Sequence, residues 1–325
     1  EKFLWNQLGQ HQWVNLSSYP NWNMKITVIG AGYWGSKIVS TVHKLGHDCE
    51  VIDIKNGDSL DDIRDSTSAI VATPAMDHYT TAMKLLKRGI HCLVEKPIAM
   101  HVPEVKMLKV TAQEYNIKLM AGHVLCYTDL IDNLKNTVKK EKVLHIESRR
   151  LAWGRIQYDI SPIPHFAPHD VAVLDYVTGG AMPKQVYSRG YRFDSRKFPD
   201  YVISDLDYGD FTVQLQMGWY YPEKIRTFRT ITKEGHHTWD DVENTWTFVA
   251  NYMSGKYQEQ NPSMNYKIAP AKTFTPVENE IQHFINCIEN DQEPITGGDH
   301  ALRVTHIVNH LEQSLKIQEP CTITY

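Results

Sequence analysis

Met24-Lys-Ile-Thr-Val-Ile-Gly-Ala-Gly-Tyr-Trp-Gly35 decides the fold. The run to Ile29 reads as a buried parallel strand, and Gly30, Gly32 and Gly35 then form a Gly-x-Gly-x-x-Gly. Behind them Ile38, Val39, Val42 and Leu45 recur at helical spacing. A strand, a glycine turn and a helix N-terminus make a phosphate cradle. The first glycine permits the tight turn, the second lets backbone N–H groups approach a pyrophosphate, and the third lets helix pack on strand. Val51-Ile-Asp-Ile54 reads as the next strand. It places an acid, Asp53, about 20 residues on, where a ribose-binding carboxylate belongs.

Strands and helices go on alternating. Ser68–Ala72 is predicted as a third strand, followed by Thr73-Pro74 and a helix with Met76, Tyr79, Met83 and Leu86 on one face, closed by Gly89. His91–Val94 and Lys118–Ala121 are the fourth and fifth strands. This order predicts an α/β fold, a parallel Rossmann sheet with helices on both faces. After about residue 124 the pattern changes. Phe211, Val213, Leu215, Met217 and Trp219 alternate with polar or small residues, the period of an antiparallel sheet buried on one side. Thr275-Pro-Val-Glu278 is a capping box opening a helix with Val277, Ile281, Phe284, Ile285 and Ile288 on its apolar face. The expected division is an N-terminal extension (residues 1–23), a Rossmann domain (24–123), and an α+β domain with an open, mostly antiparallel sheet for substrate and oligomer contacts (124–325).

Composition excludes several classes. The net charge is -4 with no polarity between the halves, so neither a nucleic-acid groove nor a basic membrane face is expected. No apolar run approaches the length of a membrane span. The first residues lack the order of a secretory signal. The five cysteines, Cys49, Cys92, Cys126, Cys287 and Cys321, are scattered without paired spacing and read as thiols of a reducing compartment, the cytoplasm.

Val71-Ala-Thr-Pro74, His78, Gly89, Glu95-Lys-Pro97, Gly122-His123 and His169-Asp170 together resemble the glucose-fructose oxidoreductase/inositol dehydrogenase (Gfo/Idh/MocA) family. Gly122-His123 followed by Tyr127, Ser148-x-Arg150, Ala167-Pro-His-Asp170 and Pro222–Arg226 resemble a narrower branch, the nucleotide-sugar dehydrogenases of polysaccharide synthesis. The resemblance assigns Lys96 to the active site and puts Thr73, Pro74, His78, Glu95 and Lys96 beside the cofactor. It makes Tyr127, Arg150, His165, His169 and Asp170 substrate-side candidates.

The residue chemistry runs parallel to this. Lys96 lies past a parallel strand's C-terminal end, where ligands bind in open α/β sheets. An ammonium there can hold a reacting hydroxyl and stabilise alkoxide character. Imidazole as a group titrates near neutrality, so His169 can exchange the hydroxyl proton. After Pro168 it is expected at a helix start, whose dipole would keep it neutral. Many family members carry an aspartate where this chain has His165. His165 and His169 also have the i, i+4 spacing of metal ligands. Pro164 and Pro168 argue against a regular helix across both, however, and no third ligand is near, so no metal is expected. Arg150 suits a phosphate or carboxylate partner. Tyr33 and Trp34 read either as packing over a dinucleotide or as filling a domain interface. Asp53 favours NAD over NADP, because a carboxylate accepts from a free ribose 2′-hydroxyl and repels a 2′-phosphate; Lys55 lies close enough to soften that preference.

The resulting expectation is an NAD(H)-dependent oxidoreductase acting on a secondary alcohol carbon of a sugar, with C3 of a nucleotide-linked sugar as first choice. The alternatives are a same-fold oxidoreductase of a non-sugar or free polyol, and a catalytically silent NAD-sensing regulator. A homodimer or homotetramer is expected, with Val213, Leu215, Met217 and Trp219 either at a subunit contact or covering the domain's own helices.

Overall fold

The strand read from Met24 onward is β1 (Lys25–Ile29), followed by α1 (Tyr33–Lys44), β2 (Asp48–Ile52), β3 (Ser68–Val71), α2 (His78–Leu86), β4 (His91–Glu95), α3 (Val102–Glu114) and β5 (Leu119–Gly122). The computed structural model describes residues 24–154, 156–157, 159–194, 197–254, 257–269 and 274–324. The expected extension, residues 1–23, lies outside them. The described residues divide into two units, within Glu1–Thr128 plus Thr273–Thr305 and within Asp129–Lys272 plus His306–Tyr325.

In the first unit five parallel strands stand in the order β2-β1-β3-β4-β5. Chain order reverses between β1 and β3, so the crevice beyond their carboxyl ends is the switch point at which ligands bind in such sheets. Ile29, Val71, Val94 and Ala121 from the strands pack with Ala82, Leu85, Val105 and Leu108 from the helices, all buried. On α2 the buried set is His78, Thr81, Ala82, Leu85 and Leu86. Of the predicted face, Leu86 is buried and Tyr79 and Met83 pack partly buried against the core, whereas Met76 sits in the turn before the helix and is 74% exposed.

The second unit holds α4 (Ile131–Lys140), β6 (Val143–Leu151), α5 (Pro162–Thr178), β7 (Gln185–Tyr191), β8 (Tyr201–Asp207), β9 (Thr212–Gly218), β10 (Ile225–Thr232), β11 (Gly235–Asp240), β12 (Thr245–Ser254) and β13 (Tyr257–Ile268). Then α6 (Pro276–Glu289) returns to the first unit. The last helix, α7 (Gly298–Ile317), contributes its start to the first unit and its remainder to the second, before β14 (Cys321–Thr322). The sheet order is β13-β12-β11-β10-β6-β9-β8-β7-β14. Its pairs are antiparallel except β6 with β9. Val213, Leu215 and Met217 are buried, with β9 packed on α5. The apolar stripe therefore covers the unit's own helix. The opposite face of the sheet is polar: Gln214 bonds Asp205, Arg229 pairs with Glu147, and Arg149 bonds Gln216.

Two expectations change. The prolines do not break α5, which runs unbroken through Pro164 and Pro168. Pro162 and Pro164 lie in the first turn, whose N–H groups have no intrahelical acceptor to lose. Ser161 caps that turn by accepting from the Ile163 N–H. Pro168 forfeits one backbone bond, offset by complete burial of Ile163, Ala167, Val171 and Leu174. His165 and His169 thus do share one helix, and His169 sits inside it rather than at its N-terminus.

The second change is the boundary. A single division at residue 124 would leave α6 in the second domain, whereas it belongs with the first unit. The capping box forms as expected, with Thr275 accepting from the Glu278 N–H. Glu278 also pairs with Lys44 of α1, and Asn279 Nδ2 donates to the Tyr127 carbonyl at 3.0 Å. The inward face of α6 carries Glu278, Asn279 and Glu280 beside Ile281, Phe284 and Ile285.

His283 on this helix accepts the Ile295 N–H at Nε2, 3.1 Å away. Burial lowers its pKa to about 4. The unfolded chain, with the ordinary value of 6.5, therefore takes the proton first as pH falls. The stability from His283 is complete above 6.5 and is lost as pH drops towards 4. The expected loss is up to about 3 kcal/mol. A series of urea midpoints against pH should show this acid limb, and His283→Gln should flatten it.

Candidate active site

The glycine turn is built by exclusion. Gly30 has φ +98°, and a Cβ there would stand 2.7 Å from the Ala72 carbonyl oxygen. A Cβ on Gly35 would lie 1.8 Å from the Gly30 oxygen, so only glycine lets α1 start against the end of β1. A Cβ on Gly32 would meet no protein atom within 4 Å. Its place is open space in the wall of a cleft of about 790 Å³ beyond the strand ends. The first-turn N–H groups of α1 receive no side-chain cap. Open volume, uncapped amides and a glycine facing the void fit a dinucleotide pyrophosphate.

Tyr33, Trp34, Asp53, Thr73 and Pro74 also line this cleft. Tyr33 is 72% exposed, with the Lys37 ammonium over its ring. Asp53 follows β2 and accepts the Ala31 N–H at 3.3 Å and the Lys55 N–H at 3.1 Å. Asp58 and Asp61 join Asp53 in the wall, against Lys55 and Lys84. Three carboxylates at the ribose end oppose a 2′-phosphate. Sequence reading missed Asp58, Asp61 and Lys84. The acid spacing after β2 was a signal, but nothing in it showed that the loop folds back over the strand ends.

Gly35, His78, Glu95 and Lys96 are absent from the cleft lining. His78 is buried and places Nδ1 2.7 Å from the Pro97 carbonyl and Nε2 2.8 Å from that of Thr73. It ties the chain after β3 to the chain after β4, a correction to its expected place beside the cofactor. Burial lowers its pKa, while the two carbonyls pull it back up. Glu95, at the end of β4, accepts the Trp34 indole N–H at one oxygen and the Lys96 N–H at the other, 3.2 Å away. Burial pushes its pKa up to about 7, against the Trp34 and Lys96 hydrogen bonds and the Lys96 charge. Lys96 follows directly and enters a cis peptide bond to Pro97.

Tyr127 is corrected as well. It is fully buried in the first unit, its hydroxyl 2.8 Å from Thr296 Oγ1, and it presents no surface to a substrate. In the second unit Arg150 does not await a ligand. Its Nε and Nη2 donate to Asp170 Oδ1 at 3.0 and 2.8 Å, and both side chains are buried. Burial opposes the Arg150 charge, but Asp170 more than offsets it. Burial likewise raises the Asp170 pKa, with Arg150 pulling it down. The pair anchors α5 to β6 one residue past His169. His165 lies 3.2 Å from Gln157 Nε2 through Nδ1 and packs its ring against Trp219 and Phe166. His165 and His169 are both half-buried.

The sheet order, the glycine turn and the acid after β2 define an NAD-binding Rossmann domain. Residues 48–123 match the model of the Gfo/Idh/MocA oxidoreductase family, described as an NAD-binding Rossmann fold. An uncharacterized oxidoreductase of Streptococcus pneumoniae is 26% identical over 197 residues, 51% of this chain and 53% of that protein. A UDP-N-acetylglucosamine 3-dehydrogenase of Acidithiobacillus ferrooxidans is 30% identical over 121 residues, 37% of this chain and 38% of that protein. The matches thus span about half or less of these curated relatives. Among solved structures, the UDP-N-acetylglucosamine 3-dehydrogenase GnnA of A. ferrooxidans superposes with TM-score 0.80 at 20% identity, over 91% of this chain and 98% of that one. GenD2 from gentamicin A biosynthesis, in complex with NAD, superposes with TM-score 0.77 at 16% identity, over 95% and 98%. These likenesses establish the fold.

Gly32→Ala should fold with an unchanged melting temperature yet weaken NAD binding by at least about tenfold, because its methyl enters the phosphate space. Gly35→Ala should instead lose folded protein, as circular dichroism would report. Arg150→Met should cost about 3–5 kcal/mol by leaving Asp170 buried and unpaired. A double variant, Arg150→Met with Asp170→Leu, should recover most of that in the same urea titration.

Proposed function

We propose that this protein is an NAD(H)-dependent oxidoreductase that moves a hydride to or from a secondary alcohol carbon of a sugar, most simply C3 of a nucleotide-linked sugar. The observation that carries the reading is Glu95-Lys96-Pro97 at the carboxyl end of β4, with Glu95 tied to Trp34 of the glycine turn. The names of the A. ferrooxidans relatives support the substrate class.

NAD would supply a nicotinamide C4 that accepts or returns the hydride. The chain's part is to position and to handle the proton. First-turn amides of α1 hold the pyrophosphate, and Asp53 accepts from the ribose hydroxyls. The Lys96 ammonium donates to the alcohol oxygen and stabilises its developing negative charge as the C–H bond breaks. His169 takes the hydroxyl proton during oxidation and returns it during reduction. Arg150 and Asp170 act at one remove, fixing the helix that carries His169. The cytoplasm as location and a homodimer or homotetramer as assembly belong to the same proposal. No helix of the described residues is long and apolar enough to cross a membrane.

Mixing the protein with NAD and a panel of UDP-sugars, free sugars and polyols, and following reduced nicotinamide by absorbance, tests this. Lys96→Ala and His169→Ala should each lower kcat by about 10²–10⁴-fold while NAD still binds. Full activity in both variants would remove the assignment. NAD binding with no turnover across the panel would favour a cofactor sensor.

A further inference from the structure

Glu280 is a buried acid with no part in the site described so far. It lies on the inward face of α6, 1% exposed, and its Oε1 has no hydrogen-bond partner among the described residues. The charge it senses is that of Glu95, which together with burial raises its pKa well above the ordinary value. Glu95 has little freedom. Its two oxygens take the Trp34 and Lys96 N–H groups, and a Cβ on Gly122 would lie 3.1–3.2 Å from its Cα, Cδ and Oε2. Its side chain is thus packed against the backbone of β5.

Two carboxyls coupled in a site withdrawn from water do not both ionise. The donors decide which one does. Glu95 has two N–H groups and the adjacent Lys96 charge, and Glu280 Oε1 has none. We propose that Glu280 is a positioning residue that carries the proton of this carboxyl pair, leaving Glu95 as the anionic acceptor that fixes Trp34 of the glycine turn and the backbone of Lys96. The inference rests on reading the cleft as the NAD site.

The groups facing the pair come from every neighbouring element of the first unit. Trp34 comes from α1 and Lys96 from the end of β4. His78 of α2 spends both ring nitrogens on the Thr73 and Pro97 carbonyls. Tyr127, before α4, has its pKa raised by burial and by Glu280. On α6 itself Glu278 is paired with Lys44, and His283 is neutral at pH 7 because burial holds its pKa at about 4. Glu95 therefore takes up a proton as pH falls through about 7, and the Trp34 and Lys96 N–H groups lose a charged acceptor. Hydrogen bonds to a neutral acceptor are about half as strong, so the turn loosens below that pH.

Two measurements on the full chain decide this. Infrared spectra at about pH 8 should show the carbonyl band of a buried protonated carboxyl, absent in Glu280→Gln. In Glu95→Gln, with the neighbouring charge gone, the band should disappear at a lower pH than in wild type. Calorimetric titration of NAD should show affinity falling about tenfold on the acid side of pH 7 in wild type. Glu280→Gln, a neutral replacement for a neutral acid, should fold and keep that profile within about twofold, and Glu95→Gln should be weak and pH-independent. A missing band in wild type overturns the proposal, as does a band indifferent to Glu95, a misfolded Glu280→Gln, or an acid limb flattened by Glu280→Gln. Failure of wild type to bind NAD at any pH sinks the cofactor reading instead, and the infrared result still decides where the proton resides.

Discussion

Among the described glycines of the first unit, the one with least room for a side chain is Gly35, where the start of α1 meets the Gly30 carbonyl at the end of β1. A single methyl on Gly35 would sit 1.8 Å from that oxygen. This contact sets the entry angle of the helix, which sets where its first-turn amides point and where Trp34 lies. Trp34 reaches Glu95, so the same contact ties the end of β4, and Lys96 after it, to the turn. Asp53 closes the other side by accepting from Ala31. The cleft is the space these constraints leave open beyond the switch between β1 and β3.

Several polar residues that look functional in the sequence are spent holding others. His78 braces two loops by their carbonyls, Tyr127 closes the interior through Thr296, and Arg150 satisfies Asp170. Each is buried, and a buried polar group must be paired. Their chemistry is thereby directed at the protein, while Lys96 and His169 each follow or precede such a brace in sequence.

Much of the first unit was legible because its signals are local. A glycine turn between strand and helix, and an acid after the second strand, act within about 30 residues, the span of one βαβ unit. The alternation along β9 was equally plain, and the buried row was read correctly; which surface covers it required α5. The helix α5 was misjudged because local proline rules were weighed without the apolar burial that overrides them. Glu280 was hidden for the opposite reason. An acid between Val277 and Phe284 at helical spacing was visible, but acids are usually solvated, and only its burial in the first unit gives it a role.

The amino-acid sequence alone determined that a parallel sheet would carry a dinucleotide cradle, that an acid would favour NAD, and that Lys96 would stand at the end of a strand. These follow from hard sterics and periodicity, which act between near neighbours in the chain. Tertiary structure decided the rest: that residues 274–305 rejoin the first unit, that Asp58 and Asp61 line the cleft, that Arg150 already has its carboxylate, and that Glu280 is buried with one oxygen unpartnered among the described residues. Each of those depends on groups far apart in sequence sharing a small volume withdrawn from water, where pairing and protonation are set by whatever else is there.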